Sequence, residues 1–210
     1  MTQPIPTHAS AVIIGGGIAG CSVAYHLAKL GWKDVVLLER KQLTSGTTWH
    51  AAGLIAQLRA TKNMTRLSKY SQELYGELEA ETGFATGFRR NGSITVALTD
   101  ERREEIYRQA SMAHAFGVEV EHLALSDLQA LYPHLNTDGY AGAVYLPMDG
   151  QGDPGNIALA LARGARNRGA HIREHVSVTA IHETDSNSRR AVSGVAWKRD
   201  GKEETGIIKA

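Results

Sequence analysis

The feature that most constrains the fold of this chain is a short apolar strand that runs into three spaced glycines. Ala11-Val12-Ile13-Ile14 is followed by Gly15, Gly17 and Gly20 in the pattern G-x-G-x-x-G. Glycine at the first position lets the chain turn sharply off the strand. At the second it lets backbone approach a pyrophosphate, and at the third it lets a helix pack closely on the sheet. The N–H groups that open such a helix sit at the positive end of its dipole and suit an anion.

Taken alone the motif is weak, so its surroundings carry the reading. Gly20, Val23, Ala24, Leu27 and Ala28 fall at i, i+3, i+4, i+7 and i+8, which predicts one apolar helix face with Gly31 as its stop. Val35-Val36-Leu37-Leu38 reads as a buried strand. Glu39 follows about 20 residues beyond Gly20, where a carboxylate can accept hydrogen bonds from an adenosine ribose. Strand, turn, helix, strand and acid in that order predict a dinucleotide-binding βαβ unit. The motif does not separate FAD from NAD. Glu39 argues against NADP, because a carboxylate repels a 2′-phosphate, while Arg40 beside it argues the other way.

Composition narrows the partners. With 210 residues the chain makes one large domain or two small ones, and 42% hydrophobic content is ordinary for a globular protein. Lys and Arg number 23 against 22 Asp and Glu, a formal net charge of +1, so no field favours nucleic acid or an anionic membrane. The one cysteine, Cys21, excludes an internal disulfide and fits a reducing compartment. Near the packed side of the first helix it reads as a small apolar filler. Residues 1–10 carry no apolar signal core, and no run of about 18 apolar residues follows, so a cytoplasmic location without a membrane span is expected. His171 and His175 lie four apart in a strand-like stretch, about 13 Å by strand geometry. One metal ion cannot bridge that span, and no metal site is expected.

Further along, Met64, Leu67, Ser71, Leu74 and Leu78 follow helical spacing up to Gly83. Ser93 to Leu98 reads as a strand. Thr99-Asp100-Glu101 opens a helix with Ile106, Ala110 and Ala113 inside. Ser126-Asp127-Leu128-Gln129 has the form of a capping box, with Pro133 as the stop. Tyr140 to Leu146 reads as a strand. Asp153 as N-cap with Pro154 after it starts a helix that carries Ile157, Leu161 and Ala165 and ends at Gly169. A strand from Val176 to Ile181, a polar loop from Glu183 to Arg190, a strand through Val195 and Trp197, and an Asp200-Gly201 turn into Ile207-Ile208 complete the pass.

Several of these stretches carry a family resemblance: Gly15 to Gly20, Val35 to Arg40, Glu79 to Gly83, Asn91-Gly92-Ser93, Leu131-Tyr132-Pro133, and Asp149-Gly150 with Asp153-Pro154. The most specific is Thr44-Ser45-Gly46-Thr47-Thr48-Trp49-His50-Ala51-Ala52-Gly53-Leu54. On these residues the chain resembles the N-terminal part of the sarcosine dehydrogenase and dimethylglycine dehydrogenase family, within the D-amino-acid-oxidase-like flavoproteins. Gln57-Leu58-Arg59 leans toward the sarcosine branch.

The resemblance implies FAD, bonded through the imidazole of His50 to the flavin 8α-methyl group. In its neutral form an imidazole keeps a nucleophilic nitrogen lone pair, so the chemistry permits this. It further implies that backbone at Ile18 and Ala19, with Gly15, Gly17 and Gly20, meets the pyrophosphate, and that Glu39 and Arg40 lie by the ribose. Gly46, Thr47, Thr48, Trp49, Ala51, Ala52, Gly53 and Leu54 would line the flavin with His50, and the backbone of Val178 would meet the adenine. The family reaction is oxidation of an N-methyl amino acid. A hydride equivalent passes from the methyl carbon to flavin, and the imine hydrolyses to formaldehyde, which tetrahydrofolate takes up where a C-terminal domain exists. No protein side chain is assigned as catalytic. Arg59 is a candidate for holding the substrate carboxylate, because a guanidinium donates two parallel hydrogen bonds. The electron acceptor is not assigned.

The expected architecture is α/β: a Rossmann-like FAD-binding domain over 1–83 and 151–210, with an inserted, incomplete mixed or antiparallel substrate-domain segment over 84–150. Family members are much longer, so the chain reads as an N-terminal portion, ending in a hairpin strand with an unpaired edge. Two alternatives stay open. One is a related amine or amino-acid oxidase with non-covalent FAD, and the other is a truncated, non-catalytic FAD-binding fragment.

Overall fold

The computed structural model describes residues 4–186, 189–201 and 204–210. In chain order the first elements are β1 (Ala11–Ile14), α1 (Ile18–Lys29), β2 (Val35–Leu38), a 3-10 turn (Thr48–His50), β3 (Leu54–Ile55), α2 (Lys62–Thr82), β4 (Ser93–Ala97) and α3 (Asp100–Ala115). There follow β5 (Glu121–Leu123), α4 (Leu125–Leu131), β6 (Gly142–Leu146), β7 (Gly150–Gln151), α5 (Pro154–Asn167), β8 (His171–Arg173), β9 (Val176–Ser186), β10 (Arg189–Arg199) and β11 (Thr205–Lys209).

These elements form two compact units, the first made of Met1–Ala52, Glu77–Thr86 and Asp153–Ala210. Its centre is a parallel sheet in the order β1-β2-β8, with Val12 opposite Val36 and Val36 opposite His171. Each residue of β2 is buried, because both faces of the strand are covered. Val36 and Leu38 pack with Val176, Val195, Trp197 and Ile208 of a second, antiparallel sheet in the order β11-β10-β9. Alternation turns Val35 and Leu37 to the opposite face, on the side of α1, which packs in turn on α5. Burying a side chain such as Leu37 stabilises the fold by about 1.5–3 kcal/mol.

The face of α1 differs in detail from its expected stripe. Cys21, Ala24, Tyr25 and Ala28 are buried, while Val23 is 48% exposed. In α2 the buried positions are Thr65, Gln72, Leu74, Leu78 and Thr82, and the expected Met64 and Leu67 face solvent.

Two local signals have a different outcome from the one expected. The expected polar loop from Glu183 to Arg190 is largely strand: β9 and β10 continue through it, with Glu183 opposite Val192 and Asp185 opposite Arg190. Glu183 and Arg190 also pair at 3.7 Å, but both side chains are exposed, so the backbone ladder carries the pairing. Residues 187 and 188 of that loop lie outside the described residues. The expected edge of the last strand is covered by the N-terminal segment, where Lys209 N–H donates to Thr7 O and Ala9 N–H donates to Lys209 O.

The second unit comprises Gly53–Gly76 and Gly87–Gly152. Its antiparallel sheet has the order β4-β6-β5. From α3, Ile106, Ala110 and Ala113 pack with Ala97, Val118, Val120, Val144 and Leu146 to form its core. Thr99 Oγ1 caps α3 by accepting from Arg102 N–H. By contrast, α4 begins one residue before the proposed capping box, with Ala124 as N-cap and no side-chain cap, so Ser126 stands inside the helix.

Where sequence reading expected 1–83 on one side of the domain division, residues 53–76 group with 87–152. The reason is a buried polar network: Asp149 Oδ1 accepts from Gln57 N–H, Asp149 Oδ2 accepts from Ser93 Oγ–H, and Gln57 Nε2 donates to Gln72 Oε1. Among the described residues, no helix is long and apolar enough to cross a membrane.

Candidate functional site

The site begins where β1 ends. Gly15 adopts φ 104°, a left-handed value that reverses the strand, and its N–H donates to Leu38 O at 2.9 Å. A Cβ placed on Gly20 would stand 2.0 Å from Gly15 O, so only glycine lets α1 start this close to the turn. The N-cap Gly17 offers no side chain, and the first turn of α1 carries no acid. The positive end of the helix is thereby left for an outside anion.

Glu39 leaves the end of β2 and reaches back to the turn. Its Oε2 accepts from Gly16 N–H at 2.6 Å and its Oε1 from Lys41 N–H at 2.7 Å. Each carboxylate oxygen has a second lone pair, so the group can still accept from hydroxyls. Arg40 points to solvent.

From there the chain folds back over the glycine turn. Thr44 N–H donates to Gly16 O at 2.9 Å, and buried Thr48 accepts Ile18 N–H on Oγ1 at 3.0 Å. Thr48 opens the 3-10 turn, closed by His50 N–H on Thr47 O and Ala51 N–H on Thr48 O. His50 is therefore two residues from a direct bond to the first residue of α1. Its ring is exposed and lies 3.9 Å, centroid to centroid, from the Trp49 ring, itself 61% exposed. Gly46, Thr47, Ala51 and Ala52 are likewise exposed.

The structure thus brings Gly15, Gly17, Ile18, Gly20, Glu39 and Thr48 together around one turn, with Ala19 exposed on the first turn of α1 and His50 two residues beyond Thr48. Val178 is half-buried in β9 against the Val36 and Leu38 cluster, two residues after Val176, whose N–H donates to Glu39 O. Gly53 and Leu54 belong to the second unit. So does Arg59, whose Nη1 donates to Leu58 O and which borders, with Arg108, Gln109 and Met112, a cavity of about 440 Å³.

Two participants escaped sequence reading. Gly16 donates its N–H to Glu39 and accepts Thr44 N–H from the loop on its carbonyl, which the spacing of the other glycines does not signal. Glu174 accepts Leu43 N–H at 2.7 Å from 131 residues away, beyond the reach of any local pattern. Cys21 is the filler that its place suggested: burial pushes its thiol up to about 12, with Glu39 and Glu174 adding to that and Arg166 opposing it. It stays a thiol at neutral pH. His171 sits in β8, while His175 lies in a turn at φ 59°.

Comparison with known proteins supplies the context. The model of the family described as FAD dependent oxidoreductase (DAO) matches residues 10–210. Human mitochondrial sarcosine dehydrogenase is 44% identical over 196 residues, which covers 92% of this chain and 21% of that protein. Human mitochondrial dimethylglycine dehydrogenase is 42% identical over 173 residues, 82% of this chain and 20% of that protein. Among solved structures, L-proline dehydrogenase from P. horikoshii superimposes with a TM-score of 0.85 at 28% identity, covering 98% of this chain and 51% of that one. The chain spans about a fifth of the length of the curated relatives it matches.

Proposed function

The chain belongs to the FAD-dependent oxidoreductase family, and from that premise we propose that it forms the FAD-binding portion of an enzyme that oxidises the N-methyl group of a methylated glycine, sarcosine or dimethylglycine. The observation that carries this reading is the fold-back of the Thr44–His50 loop onto the glycine turn through the Ile18 N–H to Thr48 bond.

The residues present fit the cofactor. A helix start whose own N-cap residue has no side chain, a turn without Cβ atoms and a carboxylate at the end of β2 are the donor and acceptor set that a dinucleotide needs. In this reading Gly15, Gly17, Ile18, Ala19 and Gly20 hold the pyrophosphate through backbone. Glu39 accepts from ribose hydroxyls without releasing Gly16, and Arg40 flanks it. The segment Gly46 to Leu54 lines the ring, and backbone at Val178 meets the adenine. His50, exposed beside the turn, offers a ring nitrogen as the covalent tether. FAD, when bound, supplies the hydride acceptor. The protein's own task is to orient the amine and hold the substrate carboxylate.

The test is a visible spectrum of the purified protein with FAD, before and after addition of sarcosine or dimethylglycine, followed by denaturation. Flavin fluorescence that stays on the denatured protein, and leaves it in His50→Ala, supports the tether. A colourless precipitate beneath a yellow supernatant removes it. A second reading is a related amino-acid oxidase with reversibly bound FAD, and the likeness to L-proline dehydrogenase supports its choice of an amino acid as substrate. Bleaching by proline or glycine, and not by the N-methyl amines, would select it.

A further inference from the structure

The segment that places His50 is held by more than its own sequence. Between Lys41 and Thr48 the chain has no regular hydrogen-bonded structure, and Thr44 adopts φ 68°. Left-handed backbone is sparsely populated for a β-branched residue and persists only where the surroundings over-determine it. Those surroundings are visible. On one side, Thr44 N–H donates to Gly16 O. On the other, the preceding residue, buried Leu43, donates its N–H to Glu174 Oε1 at 2.7 Å. Glu174 stands between β8 and β9. The next residue, His175, donates its N–H to Lys41 O at 3.0 Å, so the two turns are stitched together twice. The second oxygen of Glu174 faces the Arg166 guanidinium of α5 at 3.9 Å.

We infer that Glu174 is a positioning residue for the cofactor site: by accepting Leu43 N–H it holds Thr44 in its left-handed turn and so sets where Thr48 and His50 stand against the glycine turn. The inference rests on the FAD reading for its functional meaning. A carboxylate acceptor for one backbone N–H is a strong bond of its kind, and its removal leaves a partly buried donor without a partner.

Amide hydrogen exchange on the flavin-free protein, together with FAD titration, tests this. In Glu174→Leu, exchange at Leu43 and Thr44 should quicken about tenfold to a hundredfold, the range for one lost charge-assisted hydrogen bond, while the β2 amides keep their protection. FAD should bind roughly tenfold more weakly, and less flavin should remain on the denatured protein. Glu174→Gln keeps a side-chain carbonyl within reach of Leu43 and should restore slow exchange and FAD binding. Glu174→Asp keeps the charge but draws the carboxylate back by one methylene, and it should behave like the leucine variant. Wild-type exchange at Leu43 and Thr44 in Glu174→Leu, or a glutamine variant as loose as the aspartate one, overturns the inference. If Glu174→Leu does not fold, the contrast between Gln and Asp decides it. Failure of the wild-type protein to bind FAD would instead sink the functional reading, while the exchange contrast, read without flavin, still decides whether Glu174 holds the loop.

Discussion

Replacing Gly20 by alanine puts the tightest contact of the site under test. The new Cβ would stand 2.0 Å from Gly15 O, 3.2 Å from Gly15 C and 3.4 Å from the Ile13 Cγ2 methyl. The nearest atom is backbone and cannot rotate away, so α1 must retreat by about 1 Å to reach a tolerable separation. Over-packing of this kind costs about 1–3 kcal/mol, and the rigid partner places the cost at the upper end. Against it stands a gain of roughly 1 kcal/mol from the better helix propensity of alanine. The expected net loss is about 2 kcal/mol, a factor of roughly 30 in the folding equilibrium. Urea denaturation reads this as a lower midpoint at unchanged slope. Gly46→Ala is the matched control, because a Cβ there meets nothing within 4 Å. Its unfolding free energy should stay within about 0.5 kcal/mol of wild type. If this loop lines the flavin, its FAD affinity should nevertheless fall. A Gly20→Ala protein as stable as wild type would refute the close approach of α1 to the turn and the reason given for the third glycine.

Other changes probe the remaining supports. Thr48→Val removes the acceptor of Ile18 N–H and should cost about 1–3 kcal/mol in denaturant unfolding, with Thr48→Ser restoring most of it. Asp153→Ala removes the cap of α5, where Oδ1 accepts Asn156 N–H at 2.8 Å, and should cost about 1 kcal/mol by the same assay. Burial alone would raise the Glu81 carboxyl, but the Tyr25 hydroxyl at 2.7 Å and the Arg168 guanidinium at 2.8 Å outweigh it and hold the group below the usual range. A carboxyl depressed by folding contributes stability that is present above its unfolded value and is lost as pH falls through its folded one. Stability followed by urea midpoint should therefore decline on acidification through and below the ordinary glutamate range. In Glu81→Gln that acid limb should be shallower.

Elements whose physics is local were legible in the sequence. The turn at Gly15, the cap of Thr99 on α3 and the Asp153-Pro154 start of α5 each depend on a few neighbouring residues, and each lies where its pattern placed it. The capping box at Ser126 misled because the helix starts two residues earlier than an N-cap at Ser126 would place it, with Ala124 as N-cap. The burial of Leu128 is set by packing, not by the cap. Charged residues from Glu183 to Arg190 read as a loop, since nothing in a single strand shows that its partner offers a matching ladder.

By itself, then, the sequence determined the βαβ opening and the family. Glycine spacing, apolar periodicity and one acid at the end of β2 are constraints that act within a few residues. Tertiary structure alone decided which face of α1 is buried, that residues 53–76 join the second unit, and that the N-terminal segment covers the last strand. It also decided that Glu174 holds the loop carrying His50. Each of these is a contact between positions far apart in the chain, where the hydrogen bond or buried surface exists only once the intervening residues have folded and the loop-closure entropy has been overcome.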